Sequence, residues 1–282
     1  MPMRSSPTAR QLRLGAELRK LRERAGLSST EAGRLLGTNQ AQISNIEAGR
    51  FGVSSERVRA MARNYACTDQ ALIDGLAGMT GERKRGWWEE YRERLPLGLL
   101  DIAELEHHAA ALRVAVAIHM PGLLQTTEHA RATFREIVPP LLPHEVEHHV
   151  SHRIKRQEIL YGSAPTSYTA IIHEAALHMG FGGPATWRGQ LTHLIEMSEL
   201  DNVTITVVPF GSGFPGSGHP IDYAVGPAPQ LDTVVLDTDH GCEFLDAEAQ
   251  LARYRKVLDR MAGSALDPRK SRDLIQRIAR DI

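Results

Sequence analysis

Cysteine is almost missing from this chain: Cys67 and Cys242 are the two among 282 residues, and they stand far apart. That excludes a disulfide scaffold and a cysteine-ligated metal site, and it suits a reducing cytoplasm, where both would be small buried hydrophobes. No apolar run approaches the ~20 residues of a membrane span, so no membrane partner is expected. No serine sits in a nucleophile elbow, and the carboxylates form no acid–base pair. Catalytic residues, cofactors and metal ligands are therefore all expected to be none, and the chain is not read as an enzyme. The first ten residues, MPMRSSPTAR, lack the apolar stretch of a signal peptide and read as a disordered basic arm. What remains is ordinary globular composition, 42% hydrophobic and 24% charged.

The stretch SSTEAGRLLGTNQAQISNIEAGR, Ser28 to Arg50, carries the most information. Ser28 and Glu31 form an S-x-x-E capping box that starts a helix running to Leu36. Gly37 supplies a left-handed turn, Thr38 caps a second helix over about Asn39 to Ala48, and Gly49 stops it. Ala32, Leu35, Ile43 and Ile46 fall where two crossed helices share a core. Gln40, Ala41, Ser44 and Asn45 are left on the outer face. That face is neutral and rich in amides, whereas a helix built for solubility carries more Lys and Glu. Gln and Asn can make paired hydrogen bonds to adenine, so Gln40 and Asn45 are base-reading candidates, with Ala41 or Ser44 against a thymine methyl or a neighbouring base edge.

Charge is distributed to match. Residues 1–66 hold twelve Lys/Arg against five Asp/Glu, a net of +7, within a chain whose total is only −1. The remainder carries 21 basic and 29 acidic residues. A basic head followed by an acidic body predicts salt-sensitive affinity for phosphates, with Arg22, Ser29, Arg34 and Arg50 as the phosphate-contact candidates.

The domain reading is a disordered arm over 1–10, an all-α five-helix DNA-binding domain over 11–79, a linker over 80–86 and a larger domain over 87–282. In the last of these, helices are expected at Arg83–Arg94, Leu100–Leu112, Leu123–Val138, Glu145–Tyr161, Pro184–Leu200, Ala247–Ala262 and Pro268–Asp281. Strands are expected at Arg113–His119, Ser167–Ile172, Val203–Val208, Ile221–Val225, Thr233–Asp237 and Cys242–Leu245. Single strands between helices, then several strands in succession, point to an α+β domain with a mixed or antiparallel sheet. Trp87, Trp88 and Tyr91 read as core, with a domain or subunit contact as the alternative.

Two motif matches there are set aside. His144-Glu145-Val146-Glu147-His148 fits H-E-x-x-H, but helical spacing puts Val146, Val150, Ile154 and Tyr161 on the core side and His144, His148 and His152 on a solvated one. GSGFPG, Gly211 to Gly216, fits G-x-G-x-x-G, yet Pro215 and Pro220 bar the helix that a dinucleotide site needs, so a strand-to-strand loop is expected. His119 ends a strand beside PGLLQT and reads as structural, with a place in a pocket wall as the alternative.

From about Leu12 to Tyr65 the chain strongly resembles the Xre-type helix-turn-helix of phage repressors, through LRKLRERAGLS, the turn glycine and the I-x-x-I-E-x-G of Ile43 to Gly49. The resemblance implies a lambda-repressor-like head in which Glu47 is structural. Residues 84 to 275 resemble an actinobacterial family of antitoxin-like transcriptional regulators, through WWEEYRE, MPGLLQTTEHAR, HRIKRQEIL, HEAAL, NVTITVVPFGSG and ARYRKVLDRM. Its members fuse such a head to a C-terminal domain of uncharacterised function and are commonly encoded beside a small partner protein. The His-rich stretch His144–His152 departs from relatives, which carry Asp, Glu and Arg there. The expectation is a dimeric, cytoplasmic regulator reading a pseudo-palindromic double-stranded DNA operator, controlled by a small protein from a neighbouring gene or by a small-molecule effector. The alternatives are an antitoxin-like protein that acts by sequestering its partner and a small-molecule-gated sensor.

Overall fold

The computed structural model describes residues 6–80, 86–216, 218–238 and 241–282. The chain forms two compact units, one of Met1–Trp87 with Pro227–Leu231, the other of Trp88–Gly226 with Asp232–Ile282.

The first unit is five helices: α1 (Ala9–Arg24), α2 (Ser29–Leu35), α3 (Gln40–Glu47), α4 (Ser55–Asn64) and α5 (Gln70–Gly78). Each starts on a side chain that accepts a hydrogen bond from the first turn: Thr8, Ser28, Asn39, Ser54 and Asp69. Thr8 forms a capping box with Gln11, so helix replaces the expected disordered arm from Ala9 onward; residues 1–5 lie outside the described residues. Leu18, Ala32, Ile43, Val58, Met61, Ala62 and Leu76 are completely buried and make the core, with Ala228 and Leu231 packed among them. Leu36 is the core residue of α2's end, whereas Leu35, expected inside, is 53% exposed. The helix ends at Leu35, one residue short of the expected end, with Leu36 as its C-cap turned inward and Leu35 outward.

The second unit runs α6 (Leu97–His108), β1 (Ala111–Val116), α7 (Thr127–Arg135), α8 (Pro143–Arg156), β2 (Ser167–His173), α9 (Gly183–Met197), β3 (Val203–Val208), β4 (Ile221–Val225), β5 (Thr233–Thr238), β6 (Gly241–Leu245), α10 (Glu248–Ser264) and α11 (Pro268–Asp281). The sheet order is β3-β2-β1-β4-β5-β6. β1, β2 and β3 are parallel and the rest antiparallel, so the sheet is mixed. Parallel neighbours need helical crossovers, which α7–α8 and α9 supply. Alternation along the strands splits the core. Leu112, Val114, Tyr168, Ala170 and Ile205 face Leu191, Leu194 and Ile275, while Ala115, Ile171, Tyr223 and Val234 face Leu251, Leu258 and Met261.

Local chemistry moved several expected boundaries. Leu112, expected to close a helix, alternates inward with Val114 on β1. The expected helix Leu123–Val138 is broken after a short 3-10 turn at Gly122–Leu124, because Thr126 caps α7 by accepting from the His129 amide. Amide side chains hold that PGLLQT turn: Gln125 donates to the Met120 carbonyl, Gln157 to that of Gln125 and Gln190 to that of Leu124. Trp87–Tyr91 is a 3-10 turn rather than part of a helix, and Trp88 and Tyr91 are buried.

Candidate nucleic-acid interface

The turn between α2 and α3 follows from three residues. Ser28 accepts from the Glu31 amide (3.2 Å) and Glu31 accepts from the Ser28 amide (2.8 Å), which starts α2. Gly37, at φ +63°, ends it: its amide reaches the Arg34 carbonyl at 3.2 Å and the Thr38 amide reaches that of Gly33 at 2.8 Å. This pair of bonds is a Schellman motif, and it needs the left-handed residue in the middle. The cap of α3 is Asn39, not Thr38 as expected, with Oδ1 accepting from the Gln42 amide at 2.9 Å. The Thr38 amide is already committed to closing α2, and its hydroxyl donates to Gln42 Oε1.

Along α3, Ile43 is fully buried and Ile46 nearly so. Burying two such side chains contributes about 3–6 kcal/mol, enough to hold a two-turn helix that would not persist alone. Gln40, Ala41 and Ser44 are exposed and Asn45 is half-buried, so the four base-reading candidates lie off the buried stripe. The amide side chains of Gln40 and Asn45 make no hydrogen bond among the described residues. Gln42 is exposed beside them with its amide oxygen accepting from Thr38, a residue that sequence reasoning passed over. Its signal was the Thr38-x-x-x-Gln42 spacing at the start of a helix.

Of the four phosphate candidates, Ser29 is half-buried in the first turn of α2, and Arg34 and Arg50 are exposed and form no ion pair among the described residues. A second Schellman motif sets Arg50, whose amide donates to the Asn45 carbonyl at 2.9 Å. Arg22 is elsewhere. It is 8% exposed, and its Nε and Nη2 donate to the two Glu47 carboxylate oxygens at 2.6 and 2.9 Å. Nη1 donates to the Leu27 carbonyl at 2.7 Å. Its guanidinium is thus spent inside the unit, and a charge that reads as surface in sequence is a brace between α1 and the end of α3. Other basic residues are offset too: Arg13 and Lys20 flank Glu17, Arg19 pairs with Glu23 and Arg59 with Asp74.

Backbone contact fixes α3 further. A Cβ on Gly15 would stand 2.4 Å from the Glu47 carbonyl oxygen and 2.7 Å from that of Ile46. Only glycine lets α1 approach α3 this closely.

A family model described as Domain of unknown function (DUF5753) matches residues 99–277, well over half of the chain. The chain belongs to that family. In this DUF5753 protein a second model, described as Helix-turn-helix domain, matches residues 13–76 and so spans α1 to α5. A helix-turn-helix domain marks a DNA-binding regulator and fits a non-enzymatic role for that part of the chain. No curated protein and no solved structure matches.

The remaining motifs of the DUF5753 protein lie in its second unit. His144 is exposed and His148 half-buried, but His152, expected on the same solvated stripe, is 2% exposed with its ring against Tyr91. α8 is covered on two sides, by α7 and by α6, so a one-sided helical reading failed there. Tyr161, expected in the core, is 49% exposed because α8 ends at Arg156. Glu145, which would be the general base of a zinc peptidase, accepts from the Leu142 amide at the start of α8. No group of three metal-ligating side chains occurs among the described residues. GSGFPG lies in the connection from β3 to β4. Cys67 and Cys242 are free and half-buried. Among the described residues no helix is long and apolar enough to cross a membrane.

Proposed function

We propose that this protein is a sequence-specific transcription regulator that reads a pseudo-palindromic operator as a dimer, with its second unit carrying the dimer contact and the regulatory input. One observation carries the reading: the outward face of α3 presents the amide side chains of Gln40 and Asn45, which form no hydrogen bond among the described residues, on a helix braced from behind. Gln40 and Asn45 read base edges in the major groove, and Ala41 and Ser44 lie against neighbouring edges or a thymine methyl. Ser29, Arg34 and Arg50 contact phosphates, whereas Arg22 is excluded by its commitment to Glu47.

A single head of this size covers about 600–1,000 Å² on DNA, modest for operator affinity. Two heads on half-sites about 34–36 Å apart supply the rest, which is why the dimer belongs to the proposal. The acidic balance of the rest of the chain, 21 basic to 29 acidic residues, disfavours a second DNA contact there and suits an effector or partner role. The resemblance to antitoxin-like Xre-type regulators supports a small partner protein or a small molecule as the signal.

The test is a binding selection of the full-length protein on a random duplex library, with enriched sites re-measured at two salt concentrations. Enrichment of a two-fold symmetric motif is expected. Uniform binding that salt erases would reduce the head to a non-specific basic surface.

A further inference from the structure

Asp222 stands where the packed face of a central strand should be apolar. Its row across the sheet reads Ala170, Val114, Asp222, Val235 and Phe244, through the registers of β2, β1, β4, β5 and β6. Ala170, Val114 and Val235 are buried, but Asp222 is only half-buried, and its carboxylate has no hydrogen-bond partner among the described residues. A carboxylate deep in a sheet and still reached by water lines a recess. Burial, reinforced by the nearby Glu106 carboxylate, pushes its carboxyl up to about 7.

The other charged groups around it come from the helices and the adjacent strand. Arg156 is closed off in a bidentate pair with Glu106 at 2.7 and 2.5 Å. Arg153 forms no ion pair with an acid among the described residues. Its Nη1 donates to Gln125 Oε1 at 2.7 Å, its guanidinium carbon lies 4.9 Å from the Phe134 ring centre, and the side chain stays partly open to water. Burial beside Arg156 pulls that guanidinium down to about 10. At the open side stand the exposed Asp237 and His119, the latter stacked on Phe181 at 5.2 Å. Gln125 joins Arg153 to the Met120 carbonyl, next to His119, and Asp237 and Arg153 both act on His119 through space, so these groups lie near one another.

We propose that this recess binds a small organic carboxylate bearing a hydroxyl or amino group, with the carboxylate on the free edge of Arg153, the polar hydrogen on Asp222, and the His119–Phe181 stack at the entrance. The local charge selects that class. Arg156 is neutralised by Glu106, which leaves one cationic group facing Asp222 and Asp237. A monoanion with a donor group satisfies Arg153 and Asp222 together, whereas a phosphate dianion meets two carboxylates. As the source of a signal, the inference rests on reading the second unit as the regulatory one.

The experiment titrates the full-length protein calorimetrically with a panel of α-hydroxy acids and α-amino acids, with sodium phosphate alongside. The selected duplex is then titrated with and without each binder. At least one carboxylate should bind, phosphate should not, and Arg153→Met should weaken binding about tenfold or more. Asp222→Asn, matched in size and free of the buried charge, should weaken the same binder without lowering the melting temperature, so the expectation does not depend on Arg153→Met folding well. No binding by any carboxylate, phosphate binding as tightly as the carboxylates, or binding indifferent to both substitutions would overturn the site. A carboxylate that binds but leaves duplex affinity unchanged upholds the site and removes its role as the regulatory input. Carboxylate binding by a protein that selects no duplex motif upholds the site and refutes only the reading of the head.

Discussion

Removing Glu47 tests whether α3 is braced by charge. In Glu47→Ala the Arg22 guanidinium loses two charge-assisted bonds, at 2.6 and 2.9 Å, while staying 8% exposed. Breaking one partner out of a buried pair costs about 3–5 kcal/mol, because the remaining charge is left uncompensated. Arg22 keeps its bond to the Leu27 carbonyl and lies 3.7 Å from Glu23, which argues for the lower end, about 3 kcal/mol. Hydrogen exchange on the full-length chain reads this unit by unit. At about 1.4 kcal/mol per factor of ten, amides over residues 12–79 should exchange on the order of 100-fold faster, with the second unit unchanged. A compensating Arg22→Met/Glu47→Leu variant removes both charges and should recover most of the loss. Its DNA affinity should keep the parental salt dependence, since neither residue meets a phosphate. Exchange within a few-fold of parental in Glu47→Ala would refute the brace. A well-folded double variant whose salt slope falls by about 0.9 would show that Arg22 reaches a phosphate after all.

Gln40→Ala and Asn45→Ala should each relax base preference by about 1–3 kcal/mol in a competition between the selected duplex and its single-base variants; unchanged preference in Asn45→Ala would refute the register assigned to α3. Arg34→Ala and Arg50→Ala should weaken every duplex alike and flatten the salt slope by about 0.9 each, measured by fluorescence anisotropy at several salt concentrations. Gly15→Ala places a methyl group 2.4 Å from the Glu47 carbonyl oxygen and should destabilise the first unit by about 1–3 kcal/mol; an unshifted melt would count against that close approach. Burial pulls the fully buried His129 from its ordinary value near 6.5 down to about 4, and its two ring nitrogens have no hydrogen-bond partner among the described residues. Between those values the unfolded chain binds the proton and the folded one does not. The stability is therefore complete above about pH 6.5 and is lost as pH falls toward 4, a difference of about 3 kcal/mol. Denaturant titrations from pH 7 to 4.5 should show this loss in the parental protein and a shallower one in His129→Leu.

The head was legible because its signals are local. A capping box, a left-handed glycine and an amide-rich outer face each act within one turn of helix, and the structure places Ser28, Gly37, Gln40, Ser44 and Asn45 accordingly. Arg22 was not legible as a brace from spacing alone, because its partner lies 25 residues away and only the crossing of α1 and α3 brings them together. In the second unit the strands could be read from β-branched alternation, but their order could not: β1 sits between β2 and β4, a pairing set by crossovers of many residues. His152 shows the same limit. Helical periodicity assumes one covered side, and α8 has two. The charge recess escaped notice because Glu106, Arg153 and Asp222 are contributed by three elements distant in sequence, and a lone acid in the run IDYAV carries no motif.

The missing side chain at Gly15 has a consequence for how such heads diversify. With α1 pressed directly on the main chain of α3, the height and tilt of α3 are set by atoms that every amino acid shares. Its outward letters can then be exchanged without re-tuning the mount that carries them. The helix behaves as type in a fixed holder, and under the proposed function a new operator would require resetting Gln40, Ala41, Ser44 and Asn45 rather than rebuilding the press.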